Sequence, residues 1–350
     1  MPKKRIIKSR HCIALLMSIA VLLSVLVLSF TACKISEDAQ SVQTEAPETA
    51  AETAEETTAV EIETAVEEEA AEIKVTDGLG NEVTLAAAAE KIIVFVPSAL
   101  EILHAIGAMD KVIGVDNWSI DIGDPLAEGM EGFGDFQGLN MEKVTAADPD
   151  LIIGLLGWAE EDINKLKELG IKLYIVDANT VDEVYAEILN MGKIAGMELE
   201  AEILMEGLKA EIDDIRLKTE AIPDDEKPRV FYEVWNDPLM SAGNNTFINE
   251  LIVYAGGKNI VAEDGLEGWP EYSLESLIKN NPDVIIAPVS LAADPGVILS
   301  DARFSGINAV KNERVYIVPD NPISRPSQNI VVGLLMFARA IHPDIFGEFN

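Results

Sequence analysis

A phrase that occurs twice constrains this chain more than any other feature. Residues 140–154 read Asn-Met-Glu-Lys-Val-Thr-Ala-Ala-Asp-Pro-Asp-Leu-Ile-Ile-Gly, and residues 273–287 read Ser-Leu-Glu-Ser-Leu-Ile-Lys-Asn-Asn-Pro-Asp-Val-Ile-Ile-Ala. Glu142, Pro149 and Asp150 match Glu275, Pro282 and Asp283 at one constant spacing. An earlier pair runs in the same order: Glu101-Ile-Leu-His-Ala-Ile-Gly-Ala and Glu250-Leu-Ile-Val-Tyr-Ala-Gly-Gly. The two halves of the chain are therefore read as variants of one α/β unit. A two-lobed protein of this kind has a cleft between its lobes and carries one copy of each repeated residue on each lobe.

Strand and helix signals alternate with short connections around the repeat, which is the α/β pattern. Residues 75–85 predict a β-hairpin, with Asp77-Gly78 and Gly80-Asn81 as turn chemistry. Apolar runs at 92–96, 112–115, 151–154 and 173–176 predict buried parallel strands in the first lobe. Residues 229–234, 284–287 and 315–318 predict those of the second. Helices are expected at 99–106 with Ser98 as N-cap, at 159–169, at 246–255 and at 330–340. The longest helical stretch, 182–219, is divided at Gly196, and its second part carries Leu204, Leu208, Ile212 and Ile215 on one stripe. Roughly 20 residues at 1.5 Å each would span about 30 Å, enough to bridge two lobes. The expected organisation is a leader at 1–32, an acidic linker at 33–73, an N-terminal lobe at 74–180, connecting helices at 181–222 and a C-terminal lobe at 223–350.

The first residues place the body of the protein outside the cytoplasm. Lys3, Lys4, Arg5, Lys8 and Arg10 precede an uncharged apolar run from Ile13 to Phe30, which ends in Thr31-Ala32-Cys33. That order is the order of a secretory signal. Its end resembles the lipobox of bacterial lipoproteins, in which Cys33 would be acylated and become the mature N-terminus. Phe30 departs from the aliphatic residue usual at that place. An uncleaved transmembrane anchor is the competing reading, although the run is shorter than the roughly 20 residues a spanning helix needs. Either way the body is tethered to the membrane from outside. The only cysteines are Cys12, inside the leader, and Cys33, so lipidation of Cys33 leaves no thiol for a disulfide, a thiolate metal site or a nucleophile. The Glu-, Thr- and Ala-rich segment after it lacks aromatic residues and reads as a solvated spacer.

The formal net charge of −35 argues against nucleic acid as a partner and against a broad polyanion site. It does not argue against one anionic group held by one well-placed arginine. Arg325 is the candidate, because it follows the 315–318 strand and arginine is scarce in the second lobe; a surface ion pair is the alternative. Trp118, Trp158 and Trp235 lie just beyond predicted strands, and Trp269 lies in a Gly/Pro loop. Phe136 and Gln137 sit on the loop before the first repeated glutamate. In open α/β sheets, ligands bind outside the carboxyl ends of the strands. An aromatic cleft there suits a bulky, partly apolar or flat ligand better than a bare ion; loop packing is the competing role for any single tryptophan. His11, His104 and His342 form no ligand spacing, which disfavours a bare transition-metal site, and His104 is expected to pack against its sheet. No Gly-x-Ser-x-Gly, Walker or His-Glu-x-x-His sequence is present, and no acid/base pair stands out, so the chain is not expected to be an enzyme.

Taken together, these residues resemble the substrate-binding lipoproteins of ABC importers for vitamin B12, ferric siderophores and haem. The phrases that carry the resemblance are Asp77-Gly-Leu-Gly-Asn-Glu-Val, Ile92-Ile-Val-Phe-Val-Pro-Ser-Ala-Leu-Glu-Ile-Leu, Gly138-Leu-Asn-Met-Glu142 with Pro149-Asp150, and Pro238-Leu-Met-Ser-Ala-Gly243. Ala255-Gly-Gly-Lys-Asn-Ile260, Gly268-Trp-Pro270 and Arg325-Pro326 with His342-Pro343 complete the set, in order, over about residues 75–348. The resemblance implies an α/β fold of two Rossmann-like lobes joined by a long inter-lobe helix, a shallow ligand cleft and small closure. It implies a metal-chelate ligand, such as a cobalamin-like corrinoid or a ferric siderophore, and no cofactor of the protein's own. It further implies a monomer that delivers its ligand to an ABC permease dimer with its ATPase, with Glu142 and Glu275 docking into arginine pockets on the two permease subunits. Ordinary helix-start glutamates favoured by the helix dipole are the competing reading of that pair. Three places depart from the family pattern. Arg325-Pro326 continues Ser-Gln where many relatives continue Gly-Pro-Arg. Phe136 stands where corrinoid binders resemble having tryptophan, and Trp158 matches no family aromatic cleanly. Corrinoid and siderophore both stay open, as do a membrane-anchored receptor for a sensor partner and an extracellular α/β enzyme.

Overall fold

The structure, a computed structural model, describes residues 72–349. The leader, Cys33 and all but the end of the acidic linker lie outside them. A hairpin of β1 (Ile73–Thr76) and β2 (Glu82–Leu85) comes first, with antiparallel register Val75↔Val83. The N-terminal lobe then holds β3 (Ile92–Val94), β4 (Val112–Val115), β5 (Leu151–Gly154) and β6 (Lys172–Ile175), all parallel, in spatial order β4-β3-β5-β6. The C-terminal lobe holds β7 (Arg229–Tyr232), β8 (Lys258–Asn259), β9 (Val284–Pro288) and β10 (Val315–Val318), also parallel, in spatial order β8-β7-β9-β10. Each sheet thus runs second, first, third, fourth strand, so the two halves share one topology as well as a phrase.

The helices that position the site are α1 (Pro97–Ala105), α2 (Met141–Ala147), α3 (Val181–Ala195), α4 (Glu198–Glu220), α5 (Phe247–Tyr254), α6 (Leu274–Asn280) and α7 (Ile330–Ile341). The expected break between the connecting helices falls at Gly196, which takes the left-handed conformation (φ 65°) and closes α3. Thr180 and Glu183 form a reciprocal capping box at the start of α3. At 23 residues, α4 extends about 34 Å at roughly 1.5 Å per residue.

The strands are apolar on both faces, and the two faces belong to different cores. Ile92 and Val94, Leu151 and Ile153, Val230 and Tyr232, and Val284 and Ile286 all enter one continuous core, which also takes in Leu208, Ile212 and Ile215 of α4 and Phe337 of α7. The residues between them point the other way. Ile93 and Ile152 join a core private to the N-terminal lobe. Phe231, Ile285 and Ala287 join a core private to the C-terminal lobe. A period-2 strand buried on both sides reads as an unbroken apolar run, which is how these strands stand out in sequence.

The repeated phrase resolves into one local device used twice. Asn140 caps α2 by accepting from the Lys143 amide at 3.2 Å, and Ser273 caps α6 by accepting from the Ser276 amide at 3.0 Å. Each helix ends on a non-glycine residue in the left-handed region, Asp148 (φ 47°) and Asn281 (φ 44°), the residue types that tolerate it best. Proline follows and prevents helix continuation. The next aspartate then clamps the start of the lobe's first strand: Asp150 accepts from the Glu90 and Lys91 amides at 2.8 and 2.9 Å, and Asp283 accepts from the Arg229 amide at 3.1 Å.

Two local expectations are corrected. Ser98 is not an N-cap, because Pro97 starts α1 two residues earlier than expected, with Val96 at the cap position, and leaves the Ser98 hydroxyl inside the first turn, buried without a partner among the described residues. His104 is exposed rather than packed on the sheet; it lies one turn beyond Glu101, on the edge of α1 away from the core.

Candidate ligand cleft

In each parallel sheet the loops after the strands gather at one edge, and here the two edges meet. Asp124 follows β4, Asn179 follows β6, Ser290 follows β9 and Arg325 follows β10. A hollow of about 320 Å³ opens at this junction, lined by Asn179, Tyr232, Trp269, Ser290, Asp320 and Ser324 together with apolar neighbours; Pro326 lines it, whereas Arg325 and Asp124 do not. Ser290 donates its hydroxyl to the Asp320 carboxylate at 2.5 Å. Burial and the nearby Asp320 carboxylate push the Tyr232 hydroxyl well above the usual tyrosine range, so it stays a donor. Four larger hollows lie elsewhere: about 610 and 540 Å³ beside the β1–β2 hairpin, about 490 Å³ between α4 and α7, and about 480 Å³ along the helix Glu160–Glu168; Tyr174 is the only aromatic side chain lining any of them.

The aromatic residues expected at the site separate into three groups. Trp269 lines the hollow and is 51% exposed. Trp118 (46% exposed), Phe136 (60%) and Trp235 (55%) stand open in the segments that follow strands, outside the hollow itself. Trp118 rides on a short helix, Asn117–Asp121, and Trp235 on a two-residue strand, so neither is in plain loop as expected. Asp116 holds the short helix by accepting from the Ser119 amide and hydroxyl, both at 2.7 Å. The Phe136 and Gln137 tip belongs to a tight hairpin, in which the exposed Gln137 donates its amide to the Asp135 carboxylate at 2.7 Å.

Trp158 is a core residue and not a cleft residue. It is 6% exposed, meets Phe95 edge-on with ring centres 4.8 Å apart, and donates its indole N–H to the Asp135 carbonyl at 3.2 Å. It therefore supports the Phe136 hairpin from beneath. Gly154 makes the room, since a Cβ there would stand 2.6 Å from the indole.

Arg325 is also placed differently from either expectation. It is buried, and its Nη1 donates to Glu101 Oε1 and to Asp124 Oδ2, each at 2.8 Å. Ser327 and Asn329 donate to the other Glu101 oxygen, the latter at 2.9 Å, and Gln328 donates to the Glu101 carbonyl at 3.2 Å. The arginine thus ties the C-terminal lobe to α1 and the loop after β4, and its charge is already matched by two carboxylates. Glu250, the counterpart of Glu101, does the reciprocal job from α5: it accepts from the Val181 amide at 2.6 Å, at the start of α3.

Glu142 and Glu275 differ from that buried pair. Both occupy the first turn of their helices, both are exposed, and neither takes part in an ion pair among the described residues. Because α2 and α6 run back against the strands they precede, these first turns point toward the strand ends that meet at the cleft.

Asn179, Tyr232, Ser290, Asp320 and Ser324 escape sequence reasoning that follows only aromatic residues. The signal was available, since all lie at or within a few residues of the carboxyl end of a strand, as the tryptophans do.

The periplasmic binding protein family model matches residues 92–322. An uncharacterized ABC transporter substrate-binding lipoprotein of Bacillus subtilis is 33% identical over 281 residues, covering 79% of this chain and 87% of that one. The vitamin B12-binding protein of Salmonella typhimurium is 27% identical over 257 residues, covering 73% and 91%. Among solved structures, a possible iron-binding (periplasmic solute-binding) protein of Staphylococcus epidermidis superposes with a TM-score of 0.64 at 31% identity, covering 73% and 99%. The periplasmic vitamin B12 binding protein of Vibrio cholerae superposes with a TM-score of 0.60 at 24% identity, covering 72% and 96%, a likeness of fold. Two lobes of one topology, their strand ends meeting over a hollow, and a family match across both of them lead to one conclusion: the chain belongs to the periplasmic binding protein family of non-enzymatic, substrate-binding transport components.

Proposed function

We propose that this protein captures a metal-chelate ligand, a cobalamin-like corrinoid or a ferric siderophore, at the junction of its lobes and delivers it to an ABC permease. The observation that carries the reading is the set of four exposed aromatic side chains, Trp118, Phe136, Trp235 and Trp269, on segments near the strand ends of both lobes. Isolated packing roles do not account for that exposure, whereas a bulky, flat ligand does. The names of the Bacillus and Salmonella relatives support import and corrinoid capture respectively. Titration with cyanocobalamin, haemin and ferric siderophores, read by tryptophan fluorescence, tests the reading; absence of quenching and of any thermal shift with all of them would sink it.

Glu142 and Glu275 are the proposed contacts to the two permease subunits, one from each lobe. Their exposure, and the absence of an ion pair to either among the described residues, leave both carboxylates available for charge-assisted bonds to arginine. Anchoring is proposed through lipid on Cys33, which lies outside the described residues. The lipoprotein name of the Bacillus relative supports it, and no helix among the described residues is long and apolar enough to cross a membrane. Metabolic labelling with a palmitate analogue, lost in a Cys33→Ser protein, checks the anchor.

A further inference from the structure

Resting on the binding-protein reading, we infer that the cleft selects a chelate with a neutral or cationic, amide- or hydroxyl-bearing periphery and rejects chelates that present carboxylate or other anionic groups. Three observations carry this. The first is Arg325, the one basic residue in the segments that directly follow the strands. It is held by Glu101 and Asp124, so two carboxylates face a single guanidinium and the cluster keeps one negative charge. An incoming carboxylate would have to displace a buried, charge-assisted pair to reach it.

The second is Arg303, the other arginine near this edge. Its Nε donates to Asp301 Oδ1 at 3.1 Å and to Oδ2 at 3.0 Å, and its Nη2 donates to Oδ2 at 2.6 Å and also reaches Asn236 in the Trp235 hairpin. It too is matched before any ligand arrives.

The third is the lining. The hollow presents one carboxylate, Asp320, beside the neutral groups of Asn179, Tyr232, Ser290 and Ser324, and no lysine, arginine or histidine lines it. The segments at 116–138, 155–162, 177–183, 233–246 and 288–294 contain no basic residue either, while each contains at least one acidic one. An anion entering here loses hydration without finding a cation to replace it. An amide N–H or an ammonium group instead finds Asp320 and neutral acceptors. The field of a chain with net charge −35 acts in the same direction on approach.

The test uses the full protein in detergent and four probes that separate charge from chemical class. Cyanocobalamin is set against haemin with its propionates, and a cationic ferric trihydroxamate against an anionic ferric triscatecholate. Dissociation constants come from tryptophan quenching at low and high salt. The expected result is at least about tenfold tighter binding of the neutral or cationic member in a pair that binds, narrowing as salt screens the charges. Tighter binding of an anionic member overturns this inference and leaves the binding-protein reading standing. Quenching by none of the four overturns both. Asp320→Asn is expected to shrink the cation-to-anion affinity ratio by about tenfold. Glu101→Gln, which leaves Arg325 less compensated, is expected to shrink it from the other side by improving anion binding. A ratio unchanged in whichever of these variants keeps a native near-UV spectrum overturns the inference.

Discussion

Two pairs of glutamates are duplicated in this molecule, and they occupy opposite environments. Glu101 and Glu250 sit on the helix after the first strand of their lobes, and each reaches across to the other half of the chain. Glu142 and Glu275 sit one unit further on, at helix starts, and touch nothing charged among the described residues. Residue type and repetition are the same in both pairs. The inner pair is committed to holding the halves together, whereas the outer pair is left for something outside the molecule. Duplication alone therefore does not mark a partner-facing residue; duplication with exposure does.

The comparison breaks most visibly in transport. Glu142→Ala combined with Glu275→Ala is expected to abolish uptake in cells while ligand affinity stays within about twofold and stability within about 0.5 kcal/mol, as for exposed positions generally. Unchanged uptake would show that the outer pair is not a docking contact. On the inner side, Arg325→Ala strands two buried carboxylates and is expected to cost about 3–5 kcal/mol in urea unfolding. A cost below about 1 kcal/mol would mean that the bridge is not formed in solution.

Acid titration sharpens the difference further, through two other buried carboxyl groups, Glu187 on α3 and Glu233 just past the end of β7. Burial pushes the Glu187 carboxyl, bonded to the Tyr174 hydroxyl, up to about 7, and burial likewise pushes Glu233 up to about 7. Each therefore binds its proton more tightly folded than unfolded. Between the ordinary value near 4.5 and about 7 the native state holds more protons, so stability falls as pH rises through that window. The melting temperature is expected to rise by a few degrees on acidification from pH 7.5 to pH 5, and Glu187→Gln with Glu233→Gln is expected to flatten the profile. A melting temperature that falls over this range in the parent protein would contradict the assignment. The smallest effect is expected at the second inner glutamate. Glu250→Gln keeps its shape but loses its charge at the start of α3, at a cost of about 1 kcal/mol. Equal losses for Glu250→Gln and Arg325→Ala would remove the asymmetry between the two crossings.

Much of the scaffold was legible because its signals are local. Unbroken apolar runs marked the doubly buried strands, and Gly196 marked the break between the connecting helices; the repeated Pro-Asp stood out as a phrase, while its clamp at the foot of each sheet emerged only in the structure. The site was legible only in outline. Arg325 finds its partners 224 and 201 residues away, so no spacing rule connects them. Trp158 lies four residues past its strand and Trp118 three past its own, yet Trp158 turns inward onto Phe95, into space that a side chain at position 154 would fill. Ser98 shows the same limit at short range, where a neighbouring proline moved the helix start by two residues and changed a cap into an unpartnered hydroxyl.

The alternation of each strand between a common and a private core has a consequence for how the molecule comes apart. Neither lobe can expose the inner face of its sheet without stripping the same layer from α4, α7 and the opposite sheet. Heat should therefore produce one cooperative transition in a calorimeter, with van't Hoff and calorimetric enthalpies in agreement, where a pair of independent lobes would give two. Partial opening, in contrast, is left to the private cores at the outer faces, so slow amide exchange should concentrate along the midline of the protein and fade outward from it.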